Sequence, residues 1–402
     1  FYAMTTIRIP DFEFTARLAR TAGLVRNAGL DVLIVHSNEA DFANVRYLSD
    51  YWPLFESAGV LVAANGQTRL LIGPESETFA RSRTKISDVR KLIEYRESAE
   101  PNYPSIKVDT FRTLIQEAVG AEPKRIGIAG WAICPLPVYL GLRESFPKAE
   151  LVKADEIMFQ QRQVKSAAEI ACQKEAFRIT RIATDEVIKQ MRPGMTELEI
   201  AGLAQGLIFE HGAECEGLPQ YVLSGEASAH AIGRAGYRKI QKGEIVQLNL
   251  SARVHGYSTS IGVPVCVGKP SSVTRRLLEF GLKAHQFTKT LMTAGKAAGE
   301  VAGRYDEYVK QAGFAPYMLY GPCHGTGMIE VEHPWIESTS CYPLRPGMTF
   351  QIDTFFYAPE GSPLAVKNGK VFGLRWENGC LITEAGCELL SPDLTDLAIV
   401  EP

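Results

Sequence analysis

The sequence lacks the features that mark several large classes of protein. No stretch approaches the roughly 20 consecutive apolar residues that a membrane-spanning helix needs, and no basic run is present. The formal net charge is only −3, so no general attraction to an anionic partner is expected. No G-x-G-x-x-G motif follows a predicted strand, and no nucleophile elbow is found. We therefore expect neither a nucleic-acid partner nor a membrane partner.

The eight cysteines are scattered and form no C-x-x-C pair. In a chain of 402 residues, this pattern predicts reduced and mostly buried thiols rather than a disulfide framework. No signal-peptide pattern opens the chain, so we expect a cytoplasmic location. The length exceeds what a single core usually supports and predicts two domains, or one domain with an additional lobe.

The first part of the chain alternates helical and strand patterns. Residues 12–28 are amphipathic, and residues 31–35 form a short apolar run rich in β-branched side chains. Asn65-Gly66 separates two apolar stretches, which is a strong hairpin signal. A further buried strand is expected at residues 125–129. Helices that alternate with such strands predict an α/β lobe, which we place at residues 4–158.

A different pattern follows this lobe. Capping boxes formed by Ser166 with Glu169 and by Thr196 with Glu199 predict the starts of two helices. The fold class is therefore α+β, with a second domain at residues 163–402. Beyond the two helices, we expect strands at residues 243–250, 257–267, 348–357 and 380–383 and a helix at residues 273–294.

Several motifs of the second domain occur in a specific order and spacing. They are Pro193-Gly194-Met195-Thr196-Glu197, Lys242-Gly243-Glu244-Ile245-Val246, His324-Gly325-x-Gly327, His333-Pro334 and Leu344-Arg345-Pro346-Gly347-Met348. These motifs resemble the superfamily of methionine aminopeptidase, prolidase and creatinase, whose catalytic domain is called the pita-bread fold. Asn44-Val45-Arg46-Tyr47-Leu48-Ser49 resembles the amino-terminal lobe of the prolidase–creatinase subgroup. The resemblance covers nearly the whole chain. It implies a creatinase/prolidase-type lobe followed by a pita-bread catalytic domain.

The resemblance also implies a site for two divalent metals, with five ligand positions. In this sequence those positions are Asn249, Ser260, His324, Asp353 and Glu377. The strand pair that carries two aspartates in prolidase-type peptidases has neutral and weak ligands here, at Asn249 and Ser260. We therefore expect no metal ligand and no other cofactor. The sequence is most similar to the creatinase branch, which works without metal.

Three residues are predicted to be catalytic. His230 stands near the position of the creatinase histidine, and an imidazole can take and return a proton near neutral pH. Glu377 and Asp353 would hold the substrate and its developing charge. Arg375 offers an alternative, because it could pair with these acids in place of a cationic substrate group.

Seven further residues are predicted to bind substrate. The two histidines among them could instead only support the glycine-rich turn, and Gly262 and the stretch at residues 54–58 depart from creatinase in ways that argue against creatine. The predicted substrate-binding residues are His324, His333, Tyr257, Asn249, Ser260, Phe55 and Glu56.

The sequence favours a metal-independent hydrolase of a non-peptide C–N bond in a small amidine, guanidine or cyclic amide, similar to creatinase or ectoine hydrolase. One alternative is a metal-dependent peptidase of the Xaa-Pro type, or a lyase, with a metal site reduced to His324, Asp353 and Glu377. Another is an inactive pita-bread binding module. The expected partners are a small nitrogenous substrate and a second copy of the chain. In that homodimer, the amino-terminal lobe near residues 51–55 would reach the neighbour's active site.

Overall fold

The structure is a computed structural model that describes residues 7–364 and 371–401. These residues divide into two compact units. One unit is Ile9–Arg162, and the other contains the described residues from 163 onward together with residues 7 and 8.

The Ile9–Arg162 unit is an α/β lobe built on one six-stranded sheet. The strand order is 4-3-2-1-5-6, and strand 1 is antiparallel to strand 2 but parallel to strand 5. Side chains of the central strands pack with two helices in a single apolar cluster, as the alternating pattern predicts. The elements are α1 (Asp11–Asn27), β1 (Val32–Ser37), α2 (Ala43–Ser49), β2 (Ala58–Ala63), β3 (Thr68–Ile72), α3 (Glu77–Arg83), β4 (Val89–Lys91), α4 (Phe111–Val119), β5 (Arg125–Ala129), α5 (Leu136–Ser145), β6 (Glu150–Lys153) and α6 (Asp155–Arg162).

The hairpin signal at Asn65-Gly66 is confirmed. Strands β2 and β3 pair in antiparallel fashion around it. Gly66 has a φ of 94°, which glycine adopts without steric cost, and Asn65 Oδ1 accepts a hydrogen bond from Gln67 N at 3.0 Å. The turn therefore fixes the register of two buried strands.

The second unit contains a nine-stranded sheet and four helices among its described residues. The main path of the sheet follows the strand order 13-12-14-15-11-8-7, with strand 16 paired to strand 15 and strand 17 to strand 11. Its elements are α7 (Ala167–Gln190), α8 (Glu197–Glu210), β7 (Tyr221–Ser224), β8 (Ile245–Leu250), β9 (Arg253–Val254), β10 (Tyr257–Ser258), β11 (Ile261–Val267), α9 (Ser272–Leu291), α10 (Ala298–Gln311), β12 (Cys323–Gly325), β13 (Glu332–Ile336), β14 (Thr349–Ala358), β15 (Phe372–Thr383), β16 (Gly386–Leu389) and β17 (Ala398–Val400).

Both predicted capping boxes are present. Ser166 caps α7 by accepting from Glu169 N while the Glu169 carboxylate accepts from Ser166 N, and Thr196 with Glu199 does the same for α8. The strand predicted at 380–383 is much longer, because β15 begins at Phe372. Polar residues and a glycine break the apolar alternation before residue 380, so the local sequence favours a strand only weakly there. Pairing with β14 along ten residues nevertheless makes this segment a strand.

The core of the second unit lies against the buried face of the long strands. Trp376 is fully buried, and its indole Nε1 donates to Leu278 O of α9 at 3.1 Å, which ties the helix to β15. Within residues 7–364 and 371–401, no helix is both long enough and apolar enough to span a bilayer.

A close approach at Gly379 generates a stability prediction. A Cβ atom at this position would lie 2.0 Å from Phe177 Cζ, and Phe177 is itself fully buried in α7. We expect Gly379→Ala to lower the free energy of unfolding by roughly 1–3 kcal/mol through overpacking. Gly206→Ala is the matched control, because Gly206 lies in α8 and a Cβ added there would have no other atom within 4 Å. That variant should raise stability by about 0.5–1 kcal/mol. Urea unfolding of both variants measures the difference, and equal effects would contradict the packing argument.

The buried His36 generates a pH prediction for the first unit. Burial lowers the pKa of His36 to about 3, and its Nδ1 lies 3.0 Å from Tyr95 Oη. Between pH 6.5 and about 3, the unfolded chain therefore binds a proton that the folded state excludes. The corresponding stabilisation is complete above pH 6.5 and is lost as the pH falls. We expect His36→Gln to unfold with a weaker dependence on pH between 7.5 and 5 than the unchanged chain. His211→Gln, at the end of α8, should keep the original dependence.

Candidate metal centre

A row of residues across three strands defines one side of the site. Gly262 of β11 pairs with Asn249 of β8 on one side and with Glu377 of β15 on the other. A Cβ at Gly262 would lie 2.8 Å from Glu377 Cβ, so only glycine leaves room for the neighbouring side chains to meet. Asn249 Nδ2 accordingly donates to Glu377 Oε2 at 2.8 Å.

Ser260 completes this contact. Its Oγ lies 3.0 Å from Glu377 Oε2 and also within hydrogen-bonding reach of Asn249 Oδ1. Ser260, Asn249 and Glu377 are all buried. One oxygen of Glu377 thus accepts from Asn249 Nδ2, and the single hydroxyl hydrogen of Ser260 is shared between this oxygen and Asn249 Oδ1, so both neighbours are neutral.

The carboxylate of Asp353 is paired with a cation on the same sheet. Asp353 of β14 lies opposite Glu377 in the β14–β15 ladder. Its Oδ2 accepts from Tyr320 Oη at 2.7 Å, and its Oδ1 is 3.2 Å from Arg375 Nε. Burial opposes the charge of Arg375, but Asp353 and Tyr320 outweigh it and raise the pKa of this guanidinium. This ion pair is the alternative role that the sequence suggested for Arg375.

His324 faces two further carboxylates. Its Nδ1 lies 3.0 Å from Gly325 O, and a carbonyl oxygen can only accept, so Nδ1 carries the hydrogen. The other ring nitrogen, Nε2, is 3.8 Å from Glu377 Oε1 and 3.7 Å from Glu330 Oε1. In the neutral imidazole, Nε2 therefore turns its lone pair toward two carboxylate oxygens.

Burial disfavours the charged forms of these acids. Burial, followed by repulsion from Asp353 and Glu330, raises the pKa of Glu377 well above its usual range. Burial also raises the pKa of Glu330 to about 7, with a further contribution from Asp353, although Glu377 and Arg375 oppose the shift. Glu377 and Glu330 therefore favour a bound proton or a nearby cation, because Arg375 is paired with Asp353.

The donor atoms fit one divalent cation. The ligand atoms of His324, Asp353 and Glu377 lie within 4.8 Å of one another and are buried. Buried oxygens of Asp353, Glu377 and Glu330 lack a hydrogen-bond donor among the described residues. An imidazole nitrogen with carboxylate oxygens is a donor set that zinc and similar ions accept. The opposite side of Glu377 has only neutral donors, so the residues do not fit a second ion there.

The other predicted residues of this unit lie around the cluster or have structural partners. His230 ends the 3-10 turn Gly225–Ala229 and has an exposed side chain, while the next residue, Ala231, accepts from Arg375 through its carbonyl at 2.8 Å. His333 is half-buried, and its Nδ1 is 3.1 Å from Gln163 Nε2. Tyr257 Oη donates to Glu169 Oε1 at 2.5 Å, which commits this hydroxyl to the start of α7.

Phe55 and Glu56 belong to the Ile9–Arg162 unit. Phe55 is 78% exposed and has a positive φ of 60°. Glu56 is buried, and its carboxylate accepts from the backbone N–H groups of Glu75 and Ser76 and from the Ser76 hydroxyl. The carboxylate of Glu56 therefore holds the turn before α3, and its substrate-binding role stays a prediction.

Sequence reasoning missed two residues of the cluster, Glu330 and Tyr320. Tyr320 precedes the glycine-rich turn, and its hydroxyl bridges Arg375 and Asp353. Glu330 stands between Ile329 and Val331 in the loop after β12. The signal in the sequence that could have indicated Glu330 was an acid between two apolar residues in that loop.

Comparison with known proteins places this architecture in a family. Residues 17–164 match the creatinase/prolidase N-terminal domain, and residues 171–384, more than half of the chain, match metallopeptidase family M24. The chain therefore belongs to metallopeptidase family M24.

Relatives and solved structures agree with this membership. The Xaa-Pro dipeptidase of Pyrococcus furiosus is 26% identical over 349 residues, which covers 87% of this chain and 90% of the relative. Two solved structures share the fold, and in each case the match covers 95% of this chain and 99% of the other chain. They are the X-Pro aminopeptidase of Thermotoga maritima (23% identity, TM-score 0.80) and the prolidase of Pyrococcus horikoshii (22% identity, TM-score 0.79). The likeness confirms the predicted creatinase/prolidase-type lobe and catalytic domain.

The expectation of a metal-independent, creatinase-like hydrolase of non-peptide C–N bonds is wrong. The matched family consists of metallopeptidases, and the related proteins are named as Xaa-Pro peptidases. The physical reason lies in the geometry of the site. The changes at Asn249 and Ser260 affect one side of Glu377, whereas His324, Asp353 and the other oxygen of Glu377 stay clustered and buried.

The loss of the second metal position can be tested by replacing Asn249 and Ser260 with aspartate. We expect Asn249→Asp/Ser260→Asp to destabilise the metal-free protein, because two more buried carboxylates would face Glu377. The same variant should gain more thermal stability from Mn²⁺ than the unchanged chain and should bind a second ion. Asn102→Asp/Ser338→Asp, which adds the same charges at exposed positions, is the control. Equal stabilisation of both variants by Mn²⁺ would contradict this account of the lost metal position.

Proposed function

We propose that this protein is a metal-assisted peptidase that hydrolyses the peptide bond before proline in short Xaa-Pro substrates. The observation that carries the proposal is the buried cluster of His324, Asp353 and Glu377, whose carboxylates keep oxygens without a hydrogen-bond donor among the described residues. The Xaa-Pro dipeptidases and aminopeptidases with the same fold supply the substrate class.

The chain's own residues define where a cation would sit. His324 and Glu377 would hold it, because His324 Nε2 and Glu377 Oε1 face each other at 3.8 Å. When bound, a divalent ion supplies Lewis-acid polarisation of the scissile carbonyl and lowers the pKa of water. Asn249 and Ser260 fix the orientation of Glu377 through its other oxygen.

Arg375 and Tyr320 orient the acid on the neighbouring strand. Arg375 Nη2 donates to Tyr320 Oη at 2.9 Å, and Tyr320 Oη donates to Asp353. This network makes Asp353 a fixed and charge-balanced member of the cluster. In this scheme His230, which is exposed and precedes the residue whose carbonyl anchors Arg375, would give a proton to the leaving nitrogen.

We also propose a homodimer and a reducing, cytoplasmic environment. The 78% exposed Phe55 supports a second copy as the group that covers it. All eight cysteines are free thiols, which supports a compartment that keeps thiols reduced.

Activity on paired dipeptides tests the function. Metal-stripped protein should release proline from Ala-Pro and Met-Pro only after Mn²⁺, Co²⁺ or Zn²⁺ is added, and it should cleave Ala-Ala much more slowly. His324→Ala should lower kcat/KM at least about 100-fold, since it removes the nitrogen ligand. His211→Ala, a histidine at the end of α8, is the control and should leave the rate unchanged. Proline release that persists at full rate in a chelator would overturn the metal-assisted scheme. Release that does not distinguish Ala-Pro from Ala-Ala would overturn the substrate class.

A further inference from the structure

Glu330 is a buried acid, and it does not occupy any of the five family ligand positions. It lies in the loop between β12 and β13, and its side chain is 11% exposed. The loop is held closely, because Ser258 N donates to Gly327 O at 2.7 Å and Ser258 Oγ donates to Met328 O at 2.7 Å. Glu330 therefore points inward from an anchored segment rather than from a free one.

The same loop is fixed on its far side by a buried ion pair. Lys165 Nζ is 3.0 Å from Glu332 Oε1, with the two side chains 1% and 6% exposed. A Cβ at Gly327 would lie 2.1 Å from Glu332 Oε1, so the backbone approaches this pair closely. Glu332 is committed to Lys165, and Glu330 is left to face the cluster.

Two carboxylate oxygens lie near the Nε2 atom of His324. Glu330 Oε1 is 3.7 Å from His324 Nε2, which is in turn 3.8 Å from Glu377 Oε1. Neither of these carboxylate oxygens has a hydrogen-bond donor among the described residues. Atoms bound about 2 Å from one ion are separated by up to roughly 4 Å, so both distances suit ligands of a common cation. With the hydrogen of His324 on Nδ1, the unprotonated Nε2 is the ring atom that lies near both carboxylate oxygens.

Asp353 differs from Glu330, because both of its carboxylate oxygens lie next to a partner. One of its oxygens accepts from Tyr320, and the other lies beside the Arg375 guanidinium at 3.2 Å. Its charge is therefore already balanced, and a cation that recruited it would have to compete with Arg375. The ion-pair contact of Glu330 is instead with His324, which carries a positive charge only when its ring is doubly protonated.

We propose that Glu330 is a protein ligand of a single divalent cation, together with His324 and Glu377, and that Asp353 stays paired with Arg375. This inference rests on the proposed function. Glu330 would restore from a loop the negative charge that the strands lost at Asn249 and Ser260. One imidazole nitrogen and two carboxylate oxygens suit borderline ions such as Zn²⁺, Co²⁺ or Mn²⁺.

Co²⁺ binding to the metal-stripped full chain tests the assignment without an activity measurement. Calorimetry and visible absorption would be used on the unchanged chain and on Glu330→Gln, Asp353→Asn and Glu337→Gln. Glu337 is an exposed acid just after β13 and supplies the matched control. We expect one Co²⁺ per unchanged chain. Glu330→Gln should weaken binding at least about 100-fold, Asp353→Asn less than about 10-fold, and Glu337→Gln not at all.

Two further measurements separate ligand loss from misfolding. Metal-free Glu330→Gln should unfold at the same temperature as the unchanged chain or higher, because it removes a buried acid beside Glu377. Glu330→His should bind Co²⁺ more tightly than Glu330→Gln and should shift the visible bands, since a nitrogen ligand replaces an oxygen ligand. A purely structural role for Glu330 would produce neither result.

The outcomes separate a failure of the Glu330 assignment from a failure of the proposed function on which it rests. If the unchanged chain binds no Co²⁺, both the metal-assisted function and the ligand assignment fail. If the unchanged chain binds Co²⁺ and Glu330→Gln binds it equally well, only the assignment of Glu330 fails. Loss of binding in Asp353→Asn but not in Glu330→Gln would also overturn the assignment and return Asp353 to the ligand set.

Discussion

The site depends on the contact between Asn249 and Glu377 across Gly262. Neighbouring strands are separated by about 4.8 Å, so side chains two strands apart normally have a third side chain between them. Gly262 removes that obstacle and lets an amide reach a carboxylate at 2.8 Å. The contact fixes one oxygen of Glu377 and turns the other toward His324, which is what gives the remaining donors a common centre.

Charge balance explains why the remaining acids stay together. Asp353, Glu377 and Glu330 are buried within one cluster, and Arg375 is the cation paired with Asp353. Buried like charges are unfavourable at effective dielectric constants far below that of water. Burial is the main cause of the raised pKa values of Glu377 and Glu330, and repulsion from neighbouring acids adds to it. Such an arrangement is stable only with protons on the acids or with a further positive charge between them, and the lone pair on His324 Nε2 can accept either a carboxyl O–H or a cation.

Local signals in the sequence were enough for much of the fold. The capping boxes at Ser166 and Thr196 and the Asn65-Gly66 turn involve residues close in sequence, and all three are present. The length of β15 could not be predicted in this way, because it depends on pairing with β14. The family resemblance correctly gave a creatinase/prolidase-type lobe followed by a catalytic domain.

The functional prediction failed because the neutral residues at Asn249 and Ser260 were taken as evidence against the whole metal site. Which part of the site these two residues contact was not considered. Asn249 and Ser260 both contact the same oxygen of Glu377, so their change removes one side of the site and leaves the other. Glu330 was missed for a related reason: it enters from a loop, and no spacing rule links it to a strand ligand. A ligand set depends on which atoms lie close together in space, and a sequence motif identifies only ligands at fixed positions in the chain. Here His324 Nε2, on one strand, lies near oxygens of Glu377 on a second strand and of Glu330 on a loop, and our proposed ligand set follows these distances rather than the motif.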